Sequence, residues 1–201
     1  MSELLNCCLS NLEPAVAEER DVVHKLGIYH KTSHIWLYDD EGYVYFQVRG
    51  DLNKMYTSAS GHVLATETPE EAGCREAREE LGINIDPYSL ELILIELWMS
   101  DTETKHDYAF AHVYLHKIPN NFNGFTIDNK EVIDIVKIKA DSLLKHLLFG
   151  SDSYKNIKQY HLGNVEIIHP YDLLCSSKEH LITKYGKILE AIIQRTSYED
   201  K

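Results

Sequence analysis

Residues 61–83 read GHVLATETPEEAGCREAREELGI, and local chemistry predicts a helix beginning at Pro69 inside this stretch. Thr68 is suited to cap the N-terminus, Pro69 fits the first helical position, and Glu71 lies three residues after the cap, where it completes a capping box. Gly82 supplies the C-terminal stop. Within the helix Glu76, Glu79 and Glu80 are spaced i, i+3 and i+4, so their carboxylates share one face, while Cys74, Ala77 and Leu81 form an opposite, core-facing stripe. Like charges at this spacing repel, and Arg75 and Arg78 offer relief. Three carboxylates with no lysine on their face form a hard-oxygen nest suited to Mg2+ or Mn2+. Gly61 opens an irregular loop whose carbonyl is a candidate fourth ligand.

Outward from this segment, Ile35 and Leu37 alternate before the turn Asp39-Asp40-Glu41-Gly42, and Val44, Phe46 and Val48 alternate after it, which predicts a hairpin. Further strands are expected at Leu90–Leu97, Tyr108–Leu115 and Val132–Ile138. Helices are expected at Ala140–Phe149 and at Lys178–Arg195, where Leu181, Ile182, Tyr185, Ile188, Leu189 and Ile192 make one stripe. Residues 1 to about 20 read as an acidic, partly helical leader. No repeat or Pro/Gly/Ser linker divides the chain. The expectation is one domain over 1–201, an α/β sandwich with a core at about 28–149 and a C-terminal helical extension at about 150–201.

The 201 residues carry 20 Lys+Arg against 32 Asp+Glu, a net charge of −12, with 44% hydrophobic residues. That composition excludes disordered and collagen-like classes, and a chain this long closes a core without disulfides or a structural metal. No apolar run reaches the ~18 residues of a membrane helix, and Glu3 stands where a signal peptide would be basic. A cytoplasmic protein that engages no membrane is expected. Cys7, Cys8, Cys74 and Cys175 lack zinc-ligand spacing and read as ordinary reduced thiols. The negative balance opposes binding to a nucleic acid polymer. An anionic substrate then has to be drawn by a divalent cation on carboxylates.

The pattern formed by Gly61, Glu67, Arg75, Glu76, Ala77, Glu79, Glu80, Gly82 and Ile83 resembles the Nudix box at every fixed position. The strand order extends the resemblance from about Ile28 to Ile138. It implies an α/β/α sandwich with a mixed sheet and hydrolysis of a diphosphate joined to another group, often a nucleoside, with Mg2+ or Mn2+. It further implies that Glu76, Glu79 and Glu80 ligate the metal with Gly61, that Arg75 orients them, and that Glu67 supports the loop. The general base comes from the box helix in some members and from a later acid in others. Glu131, opening the segment EVIDIVKI, is the candidate of the second kind. Arg49, after the hairpin, is the candidate for pairing with substrate phosphate. The expected partner is a small-molecule diphosphate, specificity is assigned to the loops Asp51–Tyr56, Ser100–Asp107 and Pro119–Asn129, and the reading admits a homodimer.

A narrower resemblance is carried by His30 to Leu37 and Tyr56 to His62, which look like the isopentenyl-diphosphate isomerase branch of the same superfamily. That branch holds a metal with histidines, and the matching positions are His24, His30 and His62. Against isomerase activity, Ser60 occupies the position of the branch's reactive cysteine, Lys105 and Asp107 fall near its paired metal-binding glutamates, and the box is intact. The alternatives to hydrolysis are therefore this isomerisation and non-catalytic sensing of a nucleotide metabolite, for which three carboxylates are not needed.

Overall fold

The computed structural model describes residues 3–52, 54–122, 124–127, 131–149, 157–161, 164–168 and 181–197. These fall into two compact units. The first takes described residues from 1–35, 59–79 and 83–115, the second from 36–58, 80–82 and 116–201.

In the first unit, strand β1 (Leu4–Leu5) pairs antiparallel with β2 (Glu18–Glu19), and helix α1 (Arg20–Leu26) follows. This corrects the expected helical leader: residues 3–19 hold two short paired strands and a turn but no helix, and the helix comes later. Burial explains the difference. Leu5 and Cys7 pack with Val23 at no more than 1% exposure, and the backbone of Asn6 donates to the Val63 carbonyl at 2.8 Å. Such long-range contacts override local propensity. Strand β3 (His30–Tyr38) begins here and strand β4 (Tyr43–Arg49) follows in the second unit. Two further strands are β5 (Lys54–Tyr56) and β6 (Ala59–His62), the latter pairing antiparallel with the start of β3 from Thr32↔His62 to Ile35↔Ala59.

Helix α2 (Pro69–Leu81) carries the expected capping box: the Thr68 N–H donates to Glu71 Oε2 at 2.8 Å and the Glu71 N–H to Thr68 Oγ1 at 3.2 Å. Gly82 ends it at φ +69°, a left-handed conformation that lets the Ile83 N–H reach back to the Ala77 carbonyl at 3.2 Å. Ala77 and Leu81 are buried as anticipated, joined by Ala72, whereas Cys74 is only half-buried. Strands β7 (Glu91–Asp101) and β8 (His106–Lys117) form a long hairpin, and β8 also neighbours β3.

The second unit is built on β4, which pairs antiparallel with the end of β3 (Leu37↔Tyr45), with β5, and over its whole length with β9 (Val132–Lys139). Buried Asp39 locks the β3–β4 turn by accepting from the Tyr43 N–H and the Tyr45 hydroxyl, each at 2.9 Å. Helix α3 (Ala140–Phe149) has the bounds read from the sequence. The expected helical extension instead includes an antiparallel hairpin, β10 (Ile157–His161) with β11 (Asn164–Ile168), and β10 continues the ladder onto β9. Of the helix expected at Lys178–Arg195, residues 178–180 lie outside the described residues; the rest is a π-helical turn at Leu181–Tyr185 and helix α4 (Gly186–Ser197). Trp36 is sealed by Phe46 and Tyr185 at centroid distances of 5.5 and 4.7 Å. Among the described residues no helix is long and apolar enough to cross a membrane. Cys7, Cys8 and Cys74 carry free thiols, and Cys175 lies outside the described residues.

Pinning of the N-terminal segment makes a stability prediction. Leu5→Ala, at a position with no exposure, is expected to lower unfolding free energy by about 2–5 kcal/mol. Val16→Ala, at 88% exposure, should stay within about 0.5 kcal/mol of the parent in denaturant titration.

Candidate active site

Arg75 is the hub of the loop and helix. Its Nε donates to Glu67 Oε1 at 2.7 Å and its Nη2 to Glu67 Oε2 at 3.1 Å, a bidentate fork, while Nη2 also donates to the His62 carbonyl at 3.0 Å. The remaining nitrogen, Nη1, reaches Glu76 Oε1 at 2.7 Å and Glu79 Oε2 at 3.2 Å. Burial works against the guanidinium charge, but Glu67 and Glu76 more than offset it and raise the arginine's pKa. The reciprocal effect holds Glu67 below the usual carboxylate range: burial opposes ionisation, and the hydrogen bond from Arg75 overrides it. Glu67 Oε2 also accepts the Leu64 N–H at 3.1 Å, so the same carboxylate closes the loop that precedes the helix.

The three remaining glutamates sit in graded environments. Glu76 lies over Gly61 so closely that a Cβ there would fall 2.0 Å from its Oε1. Glu79 is exposed and Glu80 is buried at 6% exposure, where the Gln47 amide donates to Glu80 Oε2 at 3.2 Å. Gln47 is a residue the sequence reading missed. It lies among the apolar positions of β4, where a polar residue between Phe46 and Val48 was the available signal.

Arg49 and Glu131 lie near one another in the second unit. Arg49 pairs in register with Val132, and the backbone of Gly50 donates to the Glu131 carbonyl at 2.8 Å. The Arg49 guanidinium is already engaged, by Asp51 at 3.0 and 2.9 Å, and stacks over the Tyr56 ring at 5.7 Å. The hydrogen bond from Arg49 holds Asp51 low, and Asp51 in turn raises Arg49, with Glu131 adding to that effect. Of the loops given to specificity, Asp51–Tyr56 includes β5, Ser100–Asp107 is the tip of the β7–β8 hairpin, and residues 123, 128 and 129 of the third lie outside the described residues.

A second constellation lies wholly in the first unit. His24, His30 and His62 come together with one ring nitrogen each inside 4.8 Å of the others. His62 Nε2 is 3.2 Å from His24 Nε2, and Asp107 Oδ1 lies 3.5 Å from His30 Nε2 and 3.8 Å from His24 Nε2. His30 Nδ1 is turned to the Ile28 carbonyl at 3.1 Å, which aims Nε2, buried and without a hydrogen bond, at the cluster. Burial pushes His62 down to about 3 and lowers His30 and His24 as well, so the rings are neutral at pH 7, the form that ligates metal. Lys105 Nζ pairs with Asp107 at 3.1 Å and, against burial, holds that carboxyl low.

A family model for the NUDIX domain matches residues 28–158, more than half of the chain. The chain belongs to the Nudix family. It is 33% identical over 138 residues to an uncharacterized Nudix hydrolase of Clostridium acetobutylicum, covering 65% of this chain and 66% of that protein. It is also 27% identical over 198 residues to Nudix hydrolase 3 of Arabidopsis thaliana, covering 92% of this chain and 22% of that protein. The match thus spans just under two thirds of one relative and under a quarter of the other. Among solved structures, a Deinococcus radiodurans protein shares the α/β Nudix fold at a TM-score of 0.56, with 23% identity, covering 74% of this chain and 90% of that one.

The histidine cluster of this Nudix protein gives its stability a pH signature. The folded His62 pKa of about 3 lies below the ordinary 6.5, so the unfolded chain binds the proton more readily. Stability is therefore full above pH 6.5 and falls as pH drops from there toward 3. In denaturant titrations of metal-free protein, His62→Asn is expected to flatten the part of this decline that lies between pH 6.5 and the carboxylate range.

Proposed function

We propose that this Nudix protein is a Mg2+- or Mn2+-dependent hydrolase that cleaves a diphosphate linkage in a small phosphorylated metabolite, a nucleoside diphosphate derivative. The observation that carries the reading is the seating of Glu76 over Gly61, with Glu79 and Glu80 on the same helix. A side chain at position 61 would displace the Glu76 carboxylate, so the glycine keeps a hard-oxygen donor in place. Carboxylates of this kind fit a hard divalent cation. Glu76, Glu79 and Glu80, with the Gly61 carbonyl, would hold it. When bound, such a cation neutralises charge on the phosphate oxygens and acidifies the attacking water.

The protein's own groups set the geometry. Arg75 fixes the donors by holding Glu76 through Oε1 and Glu79 through Oε2, so both carboxylates are oriented by one guanidinium nitrogen. The proton of the attacking water is taken by an acid of the box helix or by Glu131. Arg49 serves substrate phosphate by exchanging the Asp51 carboxylate for it, an exchange between like geometries because both anions accept a bidentate fork.

The assembly of His24, His30 and His62 beside Asp107 favours a second reading, isomerisation of isopentenyl diphosphate with a metal on the histidines. That chemistry needs matched acid and base groups on either side of an apolar unit. Ser60, at the position of the reactive thiol, is a far weaker acid than cysteine, and Lys105 already engages Asp107. Hydrolysis is the better supported of the two.

A panel of nucleoside and prenyl diphosphates with Mg2+, followed by phosphate release and chromatography, separates these readings. Glu79→Gln and Glu80→Gln are each expected to lower kcat on the cleaved compound by at least ~10²-fold with the fold intact. Glu131→Gln should lower kcat without changing Mg2+ affinity if it is the base, and leave kcat at the parental value if the base is on the helix. Formation of dimethylallyl diphosphate at ~1 s⁻¹ or faster would overturn the hydrolase reading. Parental activity in both box variants would leave the carboxylates without a catalytic role and favour sensing.

A further inference from the structure

Gln47 is a polar side chain placed where the fold has no use for one. It lies in the middle of β4, held between Tyr56 of β5 and Ile135 of β9, and is 1% exposed. Its Nε2 donates to Glu80 Oε2 at 3.2 Å, while its Oε1 is buried and has no hydrogen-bond partner among the described residues. The amide cannot be turned to relieve this, because its carbonyl would then face the Glu80 carboxylate, oxygen against oxygen. A buried acceptor without a donor is a cost that an apolar residue of the same length would avoid. Ladders on both sides of β4 fix the backbone, so the side chain has little freedom to swing its carbonyl toward another group.

The two amide heteroatoms share one carbon, so the orphaned acceptor lies beside the carboxylate that its neighbour clamps. A donor arriving with whatever Glu80 binds satisfies it. We propose that Gln47 is a positioning residue: its N–H holds Glu80 Oε2 and so fixes the carboxylate read as a cation ligand, and its carbonyl accepts from a water accompanying the divalent cation. This inference rests on the reading of Glu80 as a cation ligand. It goes beyond that reading by assigning to a residue outside the box both the orientation of the ligand and the retention of a cation-bound water. Hydrogen-bond partners of metal ligands contribute to affinity in this way, commonly by 10- to 100-fold.

The test is Mn2+ binding to the metal-free full chain, followed by the electron paramagnetic resonance of free Mn2+, with the thermal midpoint measured alongside. The binding component that Glu80→Gln removes defines the box site and separates it from any uptake by the histidines. Gln47→Met keeps the length and the packing but loses both polar atoms. It is expected to raise the dissociation constant of that component about tenfold while leaving the midpoint unchanged or higher. Gln47→Asn, too short to reach Glu80, should show the same loss and carries the test if the methionine variant does not fold. Parental Mn2+ affinity in either folded Gln47 variant, with the component still lost in Glu80→Gln, overturns the proposal and leaves the box reading standing. Unchanged binding in Glu80→Gln overturns the reading of Glu80 itself.

Discussion

One guanidinium makes the carboxylate-rich face of α2 possible. Glu67, Glu76 and Glu79 all direct oxygens at Arg75, and they would repel one another in its absence. Lysine could not substitute, because an ammonium has three donors radiating from a point, whereas the planar fork reaches both oxygens of Glu67 and still directs a nitrogen toward the helix. The contact with the His62 carbonyl ties the same side chain to the end of β6, one residue beyond Gly61. Loop and helix are thus set against each other by a single residue, and Gly61 is held under the Glu76 carboxylate as a consequence.

How legible this was in the sequence depends on the range of the interactions. The box helix, its capping box and its stop were readable because every determinant lies within a few residues of its partner. Hairpins with alternating residues were readable for the same reason, and the bounds of α3 follow from one amphipathic stripe. The N-terminal segment was misread because its conformation is decided across long separations, by Asn6 on Val63 and by Leu5 bridging to Leu64. A strand of two residues leaves no periodicity to detect. The β10–β11 hairpin escaped for a related reason: its partner β9 is remote, and short runs such as Ile157–His161 lack a clear alternation of apolar residues.

The site shows the same division. Glu76, Glu79, Glu80 and Arg75 announce themselves by spacing, but what holds each of them does not. Gln47 is 33 residues from Glu80, and no local rule connects a polar residue in a strand to an acid on a helix. Arg49 has the type and place of a phosphate ligand, yet its fork rests on Asp51, two residues away, so any anion it takes must displace a carboxylate of equal geometry. Residue type identifies a capacity for binding. Only the fold says whether that capacity is already spent.

The two donor sets differ in kind, and the difference follows from how each is kept from repelling itself. Three of the carboxylates, Glu67, Glu76 and Glu79, are drawn together by a permanent cation, Arg75. The histidines are assembled by losing charge: burial lowers their pKa values, so one ring nitrogen from each sits within 4.8 Å of the others, with Asp107 3.5 Å from His30 and 3.8 Å from His24. A set of charged oxygens favours a hard cation such as Mg2+ or Mn2+, whereas neutral imidazoles with one carboxylate suit a softer ion such as Zn2+. Lys105 sharpens the contrast, since its ammonium on Asp107 lowers the negative potential of the carboxylate beside the rings. The physics that allows each set to fold therefore also separates the ions each would prefer, within a chain whose net charge of −12 favours cations in general.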